Sequence, residues 1–184
     1  SIVYTNIKSE NQKTIKFVAA HGPVDVILKP LNAFKEEVEQ KTNGRIKVEV
    51  IAGELARDKN LELERDVLQK VQDNIYQMTQ VYSKSLVPFE RDFMALEVPF
   101  IFKDHDHSFA TVDGEIGRGL LASLEKNSNF KGLAYTYCGG YRFIATKNRP
   151  IRKLKDFQGL QIATGTEAST KILEKLGVIS QRKL

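Results

Sequence analysis

Arg142 lies between two aromatic residues in "GGYRFIATKNRPI", residues 139–151, within a run that otherwise reads as a strand. A guanidinium is planar, permanently charged and forked, so it can hold a carboxylate through two parallel hydrogen bonds. The same setting also suits a solvated edge arginine that lays its stem over apolar surface. A second anion-binding feature is Thr164, Gly165 and Thr166, where "LQIA" gives way to "TGTE" and a helix begins. Free backbone N–H groups at such a start favour a carboxylate or phosphate. Two more loops follow expected strands: "AAHG", with His21, and "TQVYS", with Gln80 and Tyr82. Loops that follow parallel strands gather at one edge of the sheet, where α/β proteins bind ligands.

Catalytic and metal chemistry are weakly signalled. "DHDH" packs Asp104, His105, Asp106 and His107 together, but histidines two apart on a helix point to different faces. Zinc ligands come with longer spacing and a closing pair elsewhere. The plainer reading is a polar helix start with Asp104 or Asp106 as cap and His107 exposed. No nucleophile elbow, phosphate loop or zincin signature is present. Ser83, Ser85 and Ser108 lack a partner pattern, and Glu36–Glu37 and Glu62 with Glu64 fall on charged helix faces. No catalytic residue, metal or cofactor is expected. A single cysteine, Cys138, excludes an intrachain disulfide; it fits an oxidising compartment without indicating one.

The elements that position these residues follow from composition and periodicity. With 184 residues, 41% hydrophobic and 28% charged, the chain suits one ordinary domain or two small lobes around a real core. Its formal charge of +5 is spread along helices as in "KEEVEQK" and "ELERDVLQK", so no basic stripe suggests nucleic acid. No apolar run approaches the roughly 20 residues that span a bilayer. No signal peptide stands at the front, which suggests a mature or engineered start, and residues 1–12 read as a polar leader.

"TIKFVAA" (14–20) is expected as a buried strand, with Ile15, Phe17 and Ala19 on one face. A helix follows to Lys41 on Ile27, Leu31, Phe34 and Val38, with Pro30 kinking it or opening its regular part. Asn43-Gly44 stops it, and "RIKVEVI" (45–51) alternates as the next strand. A second helix is expected over Asn60–Gln72, a short strand in "IYQMTQVYS" (75–83), and a stiff apolar connection in "MALEVPFIF" (94–102). Two helical pieces then meet near Gly114. "KGLAYTYC" (131–138), "YRFIATK" (141–147) and "LQIAT" (160–164) read as strands, before a helix from Thr166 to Gly177. The alternation implies an α/β fold with a mainly parallel sheet.

Several segments together resemble the DctP-type solute-binding proteins of tripartite ATP-independent periplasmic (TRAP) transporters. "FKEEVEQKTNGRIKVEV", "LEVPFIFKDHDHSFATVDGEIG" and "GGYRFIATKNRPIRKLKDFQGLQI" carry the resemblance in order, over roughly residues 14 to 178. It implies a periplasmic-binding-protein-like α/β fold, with a largely complete first lobe over 13–134 and an incomplete second lobe over 135–184. It also implies a periplasmic protein, not an enzyme, that closes over a small organic acid and delivers it to TRAP membrane subunits. Arg142 coincides with a ligand-site arginine of the family, and Ala20-His21 and Gln80–Tyr82 with its pocket loops. Two departures stand out. The family usually places a carboxylate-clamping arginine at the end of its "GlkiR" motif, where this sequence has Ala163. A charge-assisted hydrogen bond contributes roughly 1.5–3 kcal/mol, so Thr164, Thr166 and the helix start would have to compensate, or the ligand is less acidic. Family members are also considerably longer, which reads as C-terminal truncation. A degenerate paralogue that acts through protein contacts is the alternative. A milder change is Asn74 in "VQDN", where the family commonly has glycine.

Overall fold

The computed structural model describes residues 12–20, 24–52, 63–141, 143–147, 149–165 and 167–182. These pack as two units: Ser1–Tyr82 with Thr136–Gly139, and Ser83–Tyr135 with Gly140–Leu184.

The first unit is built on a three-stranded parallel sheet. β1 (Lys13–Ala19) is central, flanked by β2 (Ile46–Ala52) and β3 (Met78–Gln80). Register runs from Lys13↔Ile46 to Ala19↔Ala52 on one side and from Phe17↔Met78 to Ala19↔Gln80 on the other. A central parallel strand is covered on both faces, so β1 buries more than the expected single row. Phe17 and Ala19 pack with Ile27, Leu31 and Val48, whereas Val18 and Ala20 pack on the opposite face with Val67. Ile27 and Leu31 come from α1 (Asp25–Lys41), which runs through Pro30. Val67 belongs to α2 (Leu63–Gln72); the expected first turn of that helix, 60–62, lies outside the described residues, as does 1–11 of the leader.

The turns follow local chemistry. Past α1, Asn43 (φ 50°) and Gly44 (φ 73°) take left-handed backbone, as a helix stop requires. Thr42 locks this turn: its hydroxyl donates to the Val38 carbonyl at 2.7 Å and accepts from the Ile46 N–H at 3.2 Å. Asn74 is also left-handed, at φ 57°, a conformation that asparagine tolerates better than most residues.

The second unit begins with 3₁₀ turns at Ser83–Leu86 and Arg91–Glu97, then α3 (His105–Val112) and α4 (Glu115–Asn127). The expected stiff connection at 94–102 is therefore partly helical, and Phe93 is fully buried within its first turn. Glu90 ties this region together. Its buried carboxylate accepts from the Ser123 hydroxyl (2.5 Å), the Asn127 amide (2.6 Å) and the Asp92 N–H (3.0 Å). These donors, Ser123 first, stabilise the ionised form and hold its pKa below the usual glutamate range. A depressed folded pKa adds stability above the unfolded value, and that stability is lost as pH falls through the folded one. Glu90→Gln should therefore flatten the acid limb of a urea-midpoint against pH curve; an unchanged limb would show that Glu90 is not linked to folding.

The unit closes with a strand–helix–strand: β4 (Gln161–Thr164), α5 (Glu167–Lys175) and β5 (Ile179–Arg182), with β4 and β5 parallel. Phe157, Leu173 and Val178 form its core, joined by Ile144, Ile151, Ile162 and Leu176. Gly177 (φ 82°) ends α5 in the left-handed turn that only glycine adopts freely.

Two expected strands differ. Among the described residues, none of 131–138, 141 or 143–147 is in a strand. A β-run is defined by backbone ladder bonds to a neighbour, and among the described residues neither segment has one. The alternating pattern of these runs records which faces are apolar but cannot supply the partner.

Candidate ligand-binding site

Gln80 stands at the carboxyl end of β3, fixed by the Ala19↔Gln80 pairing and by the Ala20 N–H, which donates to the Gln80 carbonyl at 3.3 Å. Its side-chain Nε2 donates to Thr136 Oγ1 at 2.8 Å. Two residues on, Tyr82 Oη receives the Cys138 thiol at 3.4 Å. Both pairs are separated by 56 residues. The run Thr136–Cys138 therefore tracks the end of β3 in parallel, joined by side chains in place of ladder bonds. Alternation places Thr136 and Cys138 on one side of an extended chain, which is how both reach the same edge. Cys138 also packs against the Phe17–Leu31 core. Sequence reasoning singled out Gln80 and Tyr82 but not their partner Thr136, for which the period-two pattern of "YTYC" was the available signal.

In the second unit, β4 alternates between exposed and covered positions: Gln161 and Ala163 are exposed, Ile162 half-buried and Thr164 buried. The Thr164 hydroxyl meets the Thr170 hydroxyl of α5 at 2.6 Å, so it is engaged inward. Gly165 is exposed, with open space where a side chain would begin. Ala163 presents its methyl on the uncovered face. His21, Arg142 and Thr166 lie outside the described residues. Of their neighbours, Tyr141 rests against the His105 ring at a centroid distance of 4.7 Å, and Phe143 is 90% exposed.

The aspartate–histidine cluster is a helix start. Asp104 caps α3 by accepting from the His107 N–H at 2.8 Å, and His107 Nδ1 accepts from the Lys103 N–H at 3.2 Å. His107 is exposed, as its place in a polar helix start suggests. Among the described residues no three or more His, Cys, Asp or Glu gather where a metal ion could sit. Tyr135 is a structural donor: its hydroxyl bonds the Gly117 carbonyl at 3.1 Å, and burial pushes its pKa up to about 12.

Known proteins resemble this chain over most of its length. The chain is 33% identical over 176 residues to the C4-dicarboxylate-binding periplasmic protein DctP of Rhodobacter capsulatus, covering 91% of this chain and 48% of that protein. It is 31% identical over 134 residues to a solute-binding protein of Verminephrobacter eiseniae, covering 73% and 38%. Among solved structures, a TRAP periplasmic solute-binding protein from Ochrobactrum anthropi, with the C-terminus bound in the ligand-binding pocket, superposes with a TM-score of 0.82 at 24% identity. That match covers 95% of this chain and 52% of the other. A TRAP protein from Pseudomonas putida F1 with bound D-glucuronate matches with a TM-score of 0.73 at 28% identity, covering 92% and 54%. The chain thus spans about half the length of the solved structures it matches and 38–48% of these two curated relatives. The fold is that of periplasmic TRAP solute-binding proteins, with a two-stranded sheet in the second unit. Because residues 17–182 match the family described as DctP, bacterial extracellular solute-binding protein, family 7, this chain belongs to that family of solute-binding proteins.

Proposed function

We propose that this chain binds a small organic acid outside the cytoplasm and delivers it to the membrane subunits of a TRAP secondary transporter. The observation that carries the reading is the ordered polar edge of the first unit, Gln80–Thr136 beside Tyr82–Cys138, in a chain matched to a solute-binding family over 17–182. Arg142 is assigned as the carboxylate partner. His21, Gln80 and Tyr82 are assigned as further ligand contacts, and Thr164, Gly165 and Thr166 as backbone and hydroxyl donors. The Thr164 hydroxyl is already shared with Thr170, so its share of binding falls mainly to its backbone. The Pseudomonas relative holds D-glucuronate and the Rhodobacter relative is named for C4-dicarboxylates; a carboxylate is their shared chemistry. The family is one of solute-binding proteins, and no catalytic role is assigned to any residue here. Among the described residues no helix is long and apolar enough to cross a membrane; the membrane subunits are assigned as this chain's partners from the family alone. The alternative of a paralogue acting through protein contacts finds no support among the relatives.

Thermal-shift measurement against D-glucuronate and succinate tests the reading. A ligand at a hundred times its Kd stabilises the folded state by about 2.7 kcal/mol, a readily measured rise in Tm. No rise with any organic acid at millimolar concentration would overturn the reading. Ala163→Arg adds a cation to the uncovered face of β4 and should tighten succinate binding by about tenfold or more, read by calorimetry. Unchanged succinate affinity would place position 163 outside the ligand's reach.

A further inference from the structure

The turn that joins α1 to β2 stands at the amino edge of the first sheet. Lys13 opens β1, Ile46 opens β2, and the two are partners in register. The Lys13 N–H donates to the Arg45 carbonyl at 2.9 Å. Beside them lies a cavity of about 490 Å³, whose lining among the described residues is Lys13, Thr42, Arg45 and Ile46. That volume falls within the range of small-molecule sites. β1 runs from this edge to Ala19, a rise of about 20 Å for a parallel strand. The cavity is therefore at the opposite end of the sheet from Gln80.

The hydrogen bonds of this turn spend its acceptors and leave its cations. The Glu39 and Gln40 carbonyls accept from the Gly44 and Asn43 N–H groups. The Thr42 carbonyl accepts from the Arg45 N–H (3.1 Å) and Nε (3.3 Å), and the Gly44 carbonyl accepts from Gln12 Nε2 (2.9 Å). The Thr42 hydroxyl is engaged with Val38 and Ile46. Acids late in α1 are committed as well: Glu37 pairs with Lys41 at 2.9 Å, and Glu39 pairs with Lys47 at 3.3 Å and accepts from the Val48 N–H at 3.0 Å. Lys13 and Arg45 pair with no carboxylate among the described residues. The unspent polar groups are thus donors, the Lys13 ammonium and the terminal nitrogens of Arg45.

We infer that this cavity is an anion site for phosphate or a phosphate monoester, separate from the organic-acid site. A monocarboxylate would neutralise only one of the two cations. A phosphate group carries close to two negative charges on three or more acceptor oxygens. Arg45 can hold two of them through its fork while Lys13 acts on another as a point charge. The inference does not depend on the organic-acid role.

Amide NMR of the 184-residue chain, titrated with inorganic phosphate at fixed ionic strength, tests this. The expected result is a saturating set of shifts at Lys13 and across Thr42–Ile46. Lys13→Gln and, separately, Arg45→Gln should each weaken phosphate binding by about tenfold or more. The Lys13 ammonium makes no bond among the described residues, so Lys13→Gln stays informative even where Arg45→Gln disturbs the turn. D-glucuronate affinity should be unchanged in Lys13→Gln. Shifts that never saturate, or full phosphate affinity in Lys13→Gln, would overturn the inference and leave acid binding standing. Loss of D-glucuronate affinity in Lys13→Gln would merge the two sites and overturn it too. Sedimentation with phosphatidylcholine vesicles, with and without phosphatidic acid, identifies the source of the phosphate. Capture by phosphatidic acid that Lys13→Gln abolishes assigns a lipid headgroup, whereas saturable phosphate binding without capture assigns a free phosphate.

Discussion

Arg142→Ala should weaken organic-acid binding by about a hundredfold or more, while the ligand-free protein melts close to its original temperature. Truncating one partner of a desolvated, hydrogen-bonded charge pair costs about 2–5 kcal/mol, which is some thirtyfold to several thousandfold in Kd. The effect should sit at the upper part of that range because Ala163 leaves the exposed face of β4 without a second cation to share the load. Arg142→Lys separates geometry from charge. Lysine keeps the charge but loses the planar fork, so a carboxylate held by two parallel bonds should recover only part of its affinity. Full recovery would mean that Arg142 acts as a point charge. Unchanged affinity in Arg142→Ala, measured by calorimetry, would remove it from the site and return it to the role of a solvated arginine that covers apolar surface.

Phe93→Ala should be the most damaging single change to stability. Phe93 is 0% exposed, in a 3₁₀ turn that begins at Arg91, whose cap Glu90 is itself buried and bonded to Ser123 and Asn127. The turn that carries it also lies against α5. Emptying such a site costs about 3–5 kcal/mol through lost burial and the cavity left behind. For a chain of this size that lowers Tm by roughly 6–20 °C. Phe93→Leu, which retains most of the volume, should cost well under half as much. A loss below about 1 kcal/mol for the alanine variant would show that the surroundings collapse into the space.

The elements written in local chemistry were legible. Helical spacing in Ile27, Leu31, Phe34 and Val38 placed α1, and Asn43-Gly44 placed its end, because helix periodicity and left-handed turns depend on neighbours in sequence. The alternation of 45–51 likewise gave β2. The runs at 131–138 and 141–147 were misread because a strand depends on a distant partner that period-two alternation does not specify. The same limit governs the site. Gln80 and Tyr82 could be placed at a sheet edge from loop position alone, whereas their pairing with Thr136 and Cys138 spans 56 residues and has no local signature. Thr164 shows a third kind of limit. Its position after β4 was legible, but sequence could not tell that its hydroxyl faces inward to Thr170.

Native mass spectrometry with added D-glucuronate tests the central claim, that this chain binds an organic acid, most directly. The denatured mass fixes the chain at 20.8 kDa, so any increment in the native spectrum is bound material. One acid per chain, with occupancy rising and saturating as D-glucuronate or succinate is added, is the predicted result. A bare chain at every concentration of both acids up to the millimolar range would contradict it.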